Sequence, residues 1–220
     1  MTVEGICFDL DGTLIRSEEI RDAVRRAYVA DAGGKWTADA QREMTGMTLF
    51  EWAHYMHDRL GVPRDAALIV RELEARLEAV YEARLPLERG AREVLERCAE
   101  RWPLALATGS PRRLMEIVLD RGNLRRYFRV TISVEEVGRG KPAPDVYLQA
   151  AKLLHADARR CVAVEDSDSG ILSARAAGMR VVAITNSAVR APRNLPLATV
   201  VLEHLTLLTP DVIAAAEGAP

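Results

Sequence analysis

The chain has 220 residues, 49% of them hydrophobic and 28% charged, with a formal net charge of −2. This is room for one or two domains with a sizeable core, in a composition ordinary for a globular protein. Near-neutral charge excludes a basic nucleic-acid footprint and a polybasic membrane surface, so the expected partner is a small molecule, met by a monomer or weak dimer. No apolar run approaches the length of a membrane span. Met1-Thr2-Val3-Glu4 enters a strand without the basic and apolar regions of a signal segment, so a cytoplasmic location is expected.

The first predicted element is a buried strand, Ile6-Cys7-Phe8, running into Asp9-Leu10-Asp11-Gly12-Thr13-Leu14. Two acids one residue apart, where an apolar strand meets a glycine turn, project into the crevice beyond the carboxyl end of the sheet. Like charges that close are tolerable only if they share a cation or a proton, which points to a metal held by Asp9 and Asp11. As a bland alternative the segment is an acidic turn, since Asp and Gly are turn formers.

From residue 16 to about residue 85 the pattern is helical, with apolar positions such as Ile20, Val24, Ala27 and Tyr28, then Leu73, Leu77, Val80 and Tyr81. Gly33-Gly34 and Gly61-Val62-Pro63 punctuate this stretch, which predicts three or four helices and no strand, an all-α insertion. His54 and His57 lie three apart on one of these helices without a nearby carboxylate or cysteine set, and read as a helix face. Trp36, Phe50 and Trp52 could line an apolar lid, but an insertion of this size needs a core, and packing is expected for most of them.

Beyond Pro86 strands and helices alternate. Helices are predicted near 90–101, 112–121, 145–154 and 169–177, with strands at 104–107, 130–133, 161–164, 180–184 and 199–202 and a last helix. This alternation predicts a doubly wound parallel sheet of the α/β, Rossmann-like class, covered on both faces. Cys7, Cys98 and Cys161 stand among apolar neighbours and are expected as buried, reduced thiols.

Three polar clusters follow predicted strands and should converge on the crevice of Asp9. In Ala107-Thr108-Gly109-Ser110-Pro111, hydroxyls and backbone N–H groups at a helix start suit a phosphate oxygen, with Thr108, Gly109 and Ser110 the candidates; Ser110 alternatively serves as an N-cap. In Gly138-Arg139-Gly140-Lys141-Pro142-Ala143-Pro144, the lysine is one of only three lysines among 30 basic residues, so a compact ammonium is expected to be required there. In Val164-Glu165-Asp166-Ser167-Asp168-Ser169-Gly170, hard oxygens suit Mg²⁺, with Asp166 the first ligand and Glu165 the second; Asp168 is expected to cap the next helix.

Taken in order, Asp9-Leu10-Asp11-Gly12-Thr13-Leu14, Thr108, Lys141-Pro142-Ala143-Pro144 and Glu165-Asp166-Ser167-Asp168-Ser169-Gly170 resemble the four motifs of the haloacid dehalogenase-like phosphohydrolases. The similarity extends to the helical-cap branch that includes beta-phosphoglucomutase and phosphoglycolate phosphatase-like enzymes. It implies a catalytic core of residues 1–15 and 86–220, with residues 16–85 as a helical cap. It also implies a Mg²⁺-dependent phosphatase of small phosphorylated metabolites. Asp9 would be the nucleophile that forms an aspartyl phosphate, and Asp11 the acid and base. Lys141 and Thr108 would balance and cradle the phosphoryl group.

Gly12, Gly109, Ser110, Arg16 and Gly46 are the expected substrate contacts, Gly46 lying in the cap segment 44–52. Two departures argue against a sugar phosphomutase, the nearest alternative. Leu49 stands where mutases carry an arginine, and Ile20 or Arg21 where they carry a histidine. A receiver phosphorylated on Asp9, or a non-catalytic phosphate binder, is the alternative from a different class; Asp11 and the cap speak against it. Arg16 either meets an anionic part of the substrate or pairs with Glu18 or Glu19.

Overall fold

The computed structural model describes residues 2–44, 47–185 and 192–216. The chain divides into two compact units, Met1–Arg16 with Pro86–Pro220, and Ser17–Leu85. In chain order it begins with strand β1 (Gly5–Phe8), followed by the four α-helices of the second unit: α1 (Glu18–Asp31), α2 (Ala40–Met44), α3 (Leu49–Asp58) and α4 (Ala66–Ala83).

Within that helical unit, α1, α3 and α4 bury the faces that the periodicity marks, including Val24, Tyr28, Trp52, Leu73, Leu77 and Tyr81. A capping box starts α3, with Thr48 accepting from the Glu51 amide and the Glu51 side chain returning to the Thr48 amide. Trp52 is buried as expected, but Phe50 is 61% exposed. On α3, Phe50 is two positions from Trp52, so the two cannot share the buried stripe. His54 stacks edge-on against Phe50, and His57 Nδ1 lies against the Val62 and Arg64 carbonyls.

The remaining elements alternate: α5 (Ala91–Ala99), β2 (Leu104–Thr108), α6 (Arg112–Arg121), β3 (Phe128–Ser133), α7 (Asp145–Leu153), β4 (Cys161–Glu165), α8 (Asp168–Ala176), β5 (Arg180–Ile184), β6 (Val200–Leu202) and α9 (Pro210–Ala215). All strand pairs are parallel, in the order β3-β2-β1-β4-β5-β6. Every residue of β1, β2 and β4 is buried, as central strands covered on both faces require. Connections run from β1 outward to β2 and β3, then return to β4 on its other side. The order therefore reverses beside β1, which places a ligand crevice at the carboxyl ends of β1 and β4.

Small side chains on one face of the central strands, Cys7, Ala105, Ala107 and Ala163, make room for Tyr147 and Val146 of α7. The three cysteines are buried and free. Some element ends differ from expectation. α5 stops at Ala99, because Trp102 precedes Pro103 and residues before proline leave the helical region. β3 begins two residues early, pairing Phe128 with Leu104 through a register shift that the apolar pattern does not reveal.

Candidate active site

β1 ends at Phe8, and the Asp9 amide still donates to the Val164 carbonyl of β4 at 3.0 Å, so the Asp9 carboxylate enters the crevice between the two strand ends. The chain then turns tightly, Gly12 N–H donating to the Ile15 carbonyl at 2.8 Å. Gly12 has φ +85°, and a Cβ built there would sit 1.9 Å from Asp166 Oδ2. Both conformation and space demand glycine. Thr13 Oγ1 donates to Asp166 Oδ1 at 3.3 Å, so the first motif holds the fourth in place.

β4 delivers Glu165 and Asp166. The Glu165 carboxylate is fully buried, and its Oε2 accepts from the Asp166 amide, the Ser167 amide and Ser167 Oγ at 3.1, 3.3 and 3.1 Å. A Cβ at Gly170 would lie 1.9 Å from Glu165 atoms, which explains the glycine four residues after Asp166. Ser167, not Asp168, caps α8: its Oγ accepts from Gly170 N–H at 3.0 Å. Asp168 is already inside the first turn, and its Oδ1 accepts from the Asn194 amide at 2.8 Å.

From the loop before α7, Lys141 reaches across this group. Its Nζ donates to Asp9 Oδ1 at 2.5 Å, Glu165 Oε1 at 2.5 Å and the Ala107 carbonyl at 3.1 Å. Carboxylate oxygens of Asp9, Glu165 and Asp166 lie within 4.8 Å of one another. Asp11, expected among the metal ligands, is not one of the three. Its Oδ2 accepts a short hydrogen bond from Ser110 Oγ, because one residue of spacing past a strand end turns the second acid toward β2.

Ser110 is thus not an N-cap, and its hydroxyl is engaged by Asp11. Its amide donates to Thr108 Oγ1 at 3.0 Å and its carbonyl accepts from Ser133 Oγ at 2.7 Å. Pro111 takes the cap position of α6 without a side-chain bond. A Cβ at Gly109 would meet nothing within 4 Å, so that backbone faces open space. Arg16 is exposed, and its amide donates to the Pro86 carbonyl at 2.8 Å. Glu18 pairs with Arg25 at 2.9 Å. Gly46 lies outside the described residues.

The electrostatics follow from burial. Asp9 is pushed up to about 7, chiefly by desolvation, with Lys141 opposing and Glu165 and Asp11 adding to the rise. Asp166 is raised well above the carboxylate range by the same desolvation and by Glu165 and Asp9. For Lys141, burial works against the charge, yet Asp9 and Glu165 outweigh it and hold the ammonium protonated. Three buried or half-buried carboxylates against this ammonium leave negative charge in excess. Hard oxygen donors from two strand ends, short of positive charge, fit a divalent ion such as Mg²⁺.

Sequence reading passed over Tyr147. Its OH donates to Glu165 Oε1 at 2.6 Å, and Lys141 Nζ lies 4.9 Å from its ring centroid. A signal existed, since a tyrosine on the inward face of a helix opened by the lysine loop must find a partner for its hydroxyl.

A family profile described as haloacid dehalogenase-like hydrolase matches residues 3–178. Hexitol phosphatase B of Escherichia coli (strain K12) is 33% identical over 208 residues, 92% of this chain and 92% of that protein. The phosphorylated carbohydrates phosphatase of Thermotoga maritima is 32% identical over 187 residues, covering 84% and 87%. The crystal structure of CbbY from Rhodobacter sphaeroides in complex with phosphate superposes with a TM-score of 0.81 at 27% identity, covering 94% of this chain and 96% of that one. The match to the family profile spans most of the chain and contains every residue of the acidic site: this protein is a member of the haloacid dehalogenase-like hydrolases.

Proposed function

We propose that the protein is a Mg²⁺-dependent phosphatase of small phosphorylated metabolites, of the sugar or polyol phosphate class, working through an aspartyl phosphate. The convergence of Asp9, Glu165 and Asp166 around Lys141, with Asp11 two residues beyond Asp9, carries this reading. Two phosphatases of phosphorylated carbohydrates or hexitols among the relatives, each above 30% identity, support the substrate class.

In this reading an Asp9 carboxylate oxygen attacks phosphorus in line, and the ester oxygen leaves with the proton of Asp11. Asp11, now a carboxylate, takes a proton from water; that water attacks phosphorus and breaks the bond to Asp9. Ser110 orients Asp11 for both transfers. Lys141 balances charge on Asp9 and on the phosphoryl oxygens, and Thr108 fixes the loop whose open Gly109 backbone faces the group. A divalent ion held by Asp9, Asp166 and Glu165 would act as a Lewis acid toward the phosphoryl oxygens. Residues 16–85 serve as the cap that sets specificity.

Phosphate release from a panel of hexitol phosphates, hexose phosphates, phosphoglycolate and nucleoside monophosphates, with and without Mg²⁺, tests this. Turnover that requires the metal and favours a phosphorylated sugar or polyol is the expected result. Release from none of the panel would overturn the reading.

A further inference from the structure

Tyr147 is the third residue of α7, its ring packed into the space that Cys7, Ala105, Ala107 and Ala163 leave on the central strands. That packing places the hydroxyl beside the buried carboxylate of Glu165 and the Lys141 ammonium. The OH donates to Glu165 Oε1 at 2.6 Å; Lys141 Nζ donates to that carboxylate oxygen at 2.5 Å and stands 3.3 Å from the tyrosine's own oxygen. Glu165 Oε2 is held by backbone amides and Ser167, so the backbone sets one end of the carboxylate while the phenol and the ammonium set the other.

The two partners of Oε1 are not equivalent. Lys141 is also bound to Asp9 and so is shared between two carboxylates, whereas the Tyr147 ring is fully buried in the core and its hydroxyl serves Glu165. A flexible four-carbon stem shared in this way does not by itself fix the angle of a carboxylate. Apolar packing alone would be satisfied by phenylalanine; what the hydroxyl adds is its hydrogen bond to the buried Glu165 carboxylate.

We infer that Tyr147 is a positioning residue of the acidic site: through its hydroxyl it fixes the orientation of Glu165, and through Glu165 the presentation of the oxygen set that would receive a divalent ion. This rests on the proposed metal-dependent reading. Groups that orient metal-binding side chains typically contribute a factor of about 10–100 in metal affinity or activity.

The experiment titrates Mn²⁺ into wild type, Tyr147→Phe, Glu165→Gln and the double variant, following free Mn²⁺ by electron paramagnetic resonance. It is paired with kcat and KM for p-nitrophenyl phosphate and with thermal melts. The expected result for Tyr147→Phe is a Mn²⁺ dissociation constant about tenfold higher and kcat about tenfold lower, with KM within about twofold. In the Glu165→Gln background the same replacement should add less than about twofold, since it acts through Glu165. Wild-type Mn²⁺ affinity and kcat in Tyr147→Phe would reduce the residue to core packing, whatever its melting temperature, and so would equal losses in both backgrounds. Wild type that binds no Mn²⁺ overturns the metal-dependent reading and this inference together; wild type that binds it with an indifferent Tyr147→Phe overturns this inference alone.

Discussion

In the helical unit, Arg25 is wholly buried, with Glu18 at 2.9 Å, Asp22 at 3.6 Å and its guanidinium 4.5 Å from the centroid of Trp52. Arg21 lies against the same ring at 4.8 Å. Burial lowers the pKa of Arg25, and Glu18 and Asp22 resist the fall, so the charge is kept. Arg26 also pairs with Asp22 at 2.7 Å, so both acids are matched by cations of their own unit. At the end of the sheet, burial instead gathers Asp9, Glu165 and Asp166 against Lys141, and desolvation drives Asp9 and Asp166 toward protonation. Charge that balances internally holds a fold together, while buried charge left unbalanced marks where something from outside belongs.

Removing the oxygen proposed to attack phosphorus is the harshest way to break this comparison. Asp9→Asn keeps the shape and the hydrogen-bonding capacity but not the nucleophile. It should lower kcat on any phosphate ester by at least about a thousandfold, because no neighbouring group can replace a covalent step. Steady-state phosphate release measures this, and appreciable remaining turnover would remove Asp9 from that role.

Next in size is a pair of substitutions with opposite signs. Arg25→Met leaves Glu18 without its buried cation while Asp22 keeps Arg26, and should destabilise the protein by about 2–3 kcal/mol, below the cost of breaking a fully buried pair because Glu18 is partly exposed and can be rehydrated. Asp166→Asn removes one of the unbalanced carboxylates. It should raise the melting temperature of the metal-free protein while weakening Mn²⁺ binding more than tenfold. Thermal melts in chelator decide the matter, and a fall of similar size for both would erase the distinction between the two clusters.

Protons offer a gentler probe. The folded state holds a proton on Asp9 up to about pH 7, whereas the unfolded chain releases it near the ordinary value of 3.8. Between those limits the folded state binds more protons, so this contribution to metal-free stability is fully present below about pH 4 and is lost as pH rises through 7. Subtracting Asp9→Asn melts from wild-type melts across pH 5–8 isolates it. Saturating Mg²⁺ should reverse the trend, since the metal competes with those protons and stabilises most above pH 7. A flat difference in chelator would remove desolvated Asp9 as the cause.

How much of this was legible in the sequence follows the same division. The apolar runs of β1, β2 and β4 and the acids at their ends are local patterns, so the sheet and its crevice could be read directly. Asp168 was expected as a cap, and a cap was the alternative for Ser110, because cap preference is a local rule, while their partners Asn194 and Asp11 stand 26 and 99 residues away. Tyr147 was passed over for the same reason: its role depends on Glu165 across the sheet, 18 residues on. The buried Arg25 in α1 looks like any helix-face arginine until Trp52 is placed beneath it.

The smallest expected effect belongs to Arg16, whose amide is fixed to Pro86 while the residue itself is exposed. An exposed cation interacts through water, and such interactions amount to about 0.2–1 kcal/mol, a factor of roughly 1.5–5. If Arg16 meets an anionic portion of the substrate, Arg16→Ala should lower kcat/KM by that factor on esters carrying a second negative group, and leave neutral sugar phosphates unchanged. Raising the salt concentration should shrink the difference, because exposed charges are screened over about 10 Å at 0.1 M. Equal losses on both ester classes would instead count against recognition of a substrate charge by the Arg16 side chain, since alanine keeps the amide bond to Pro86.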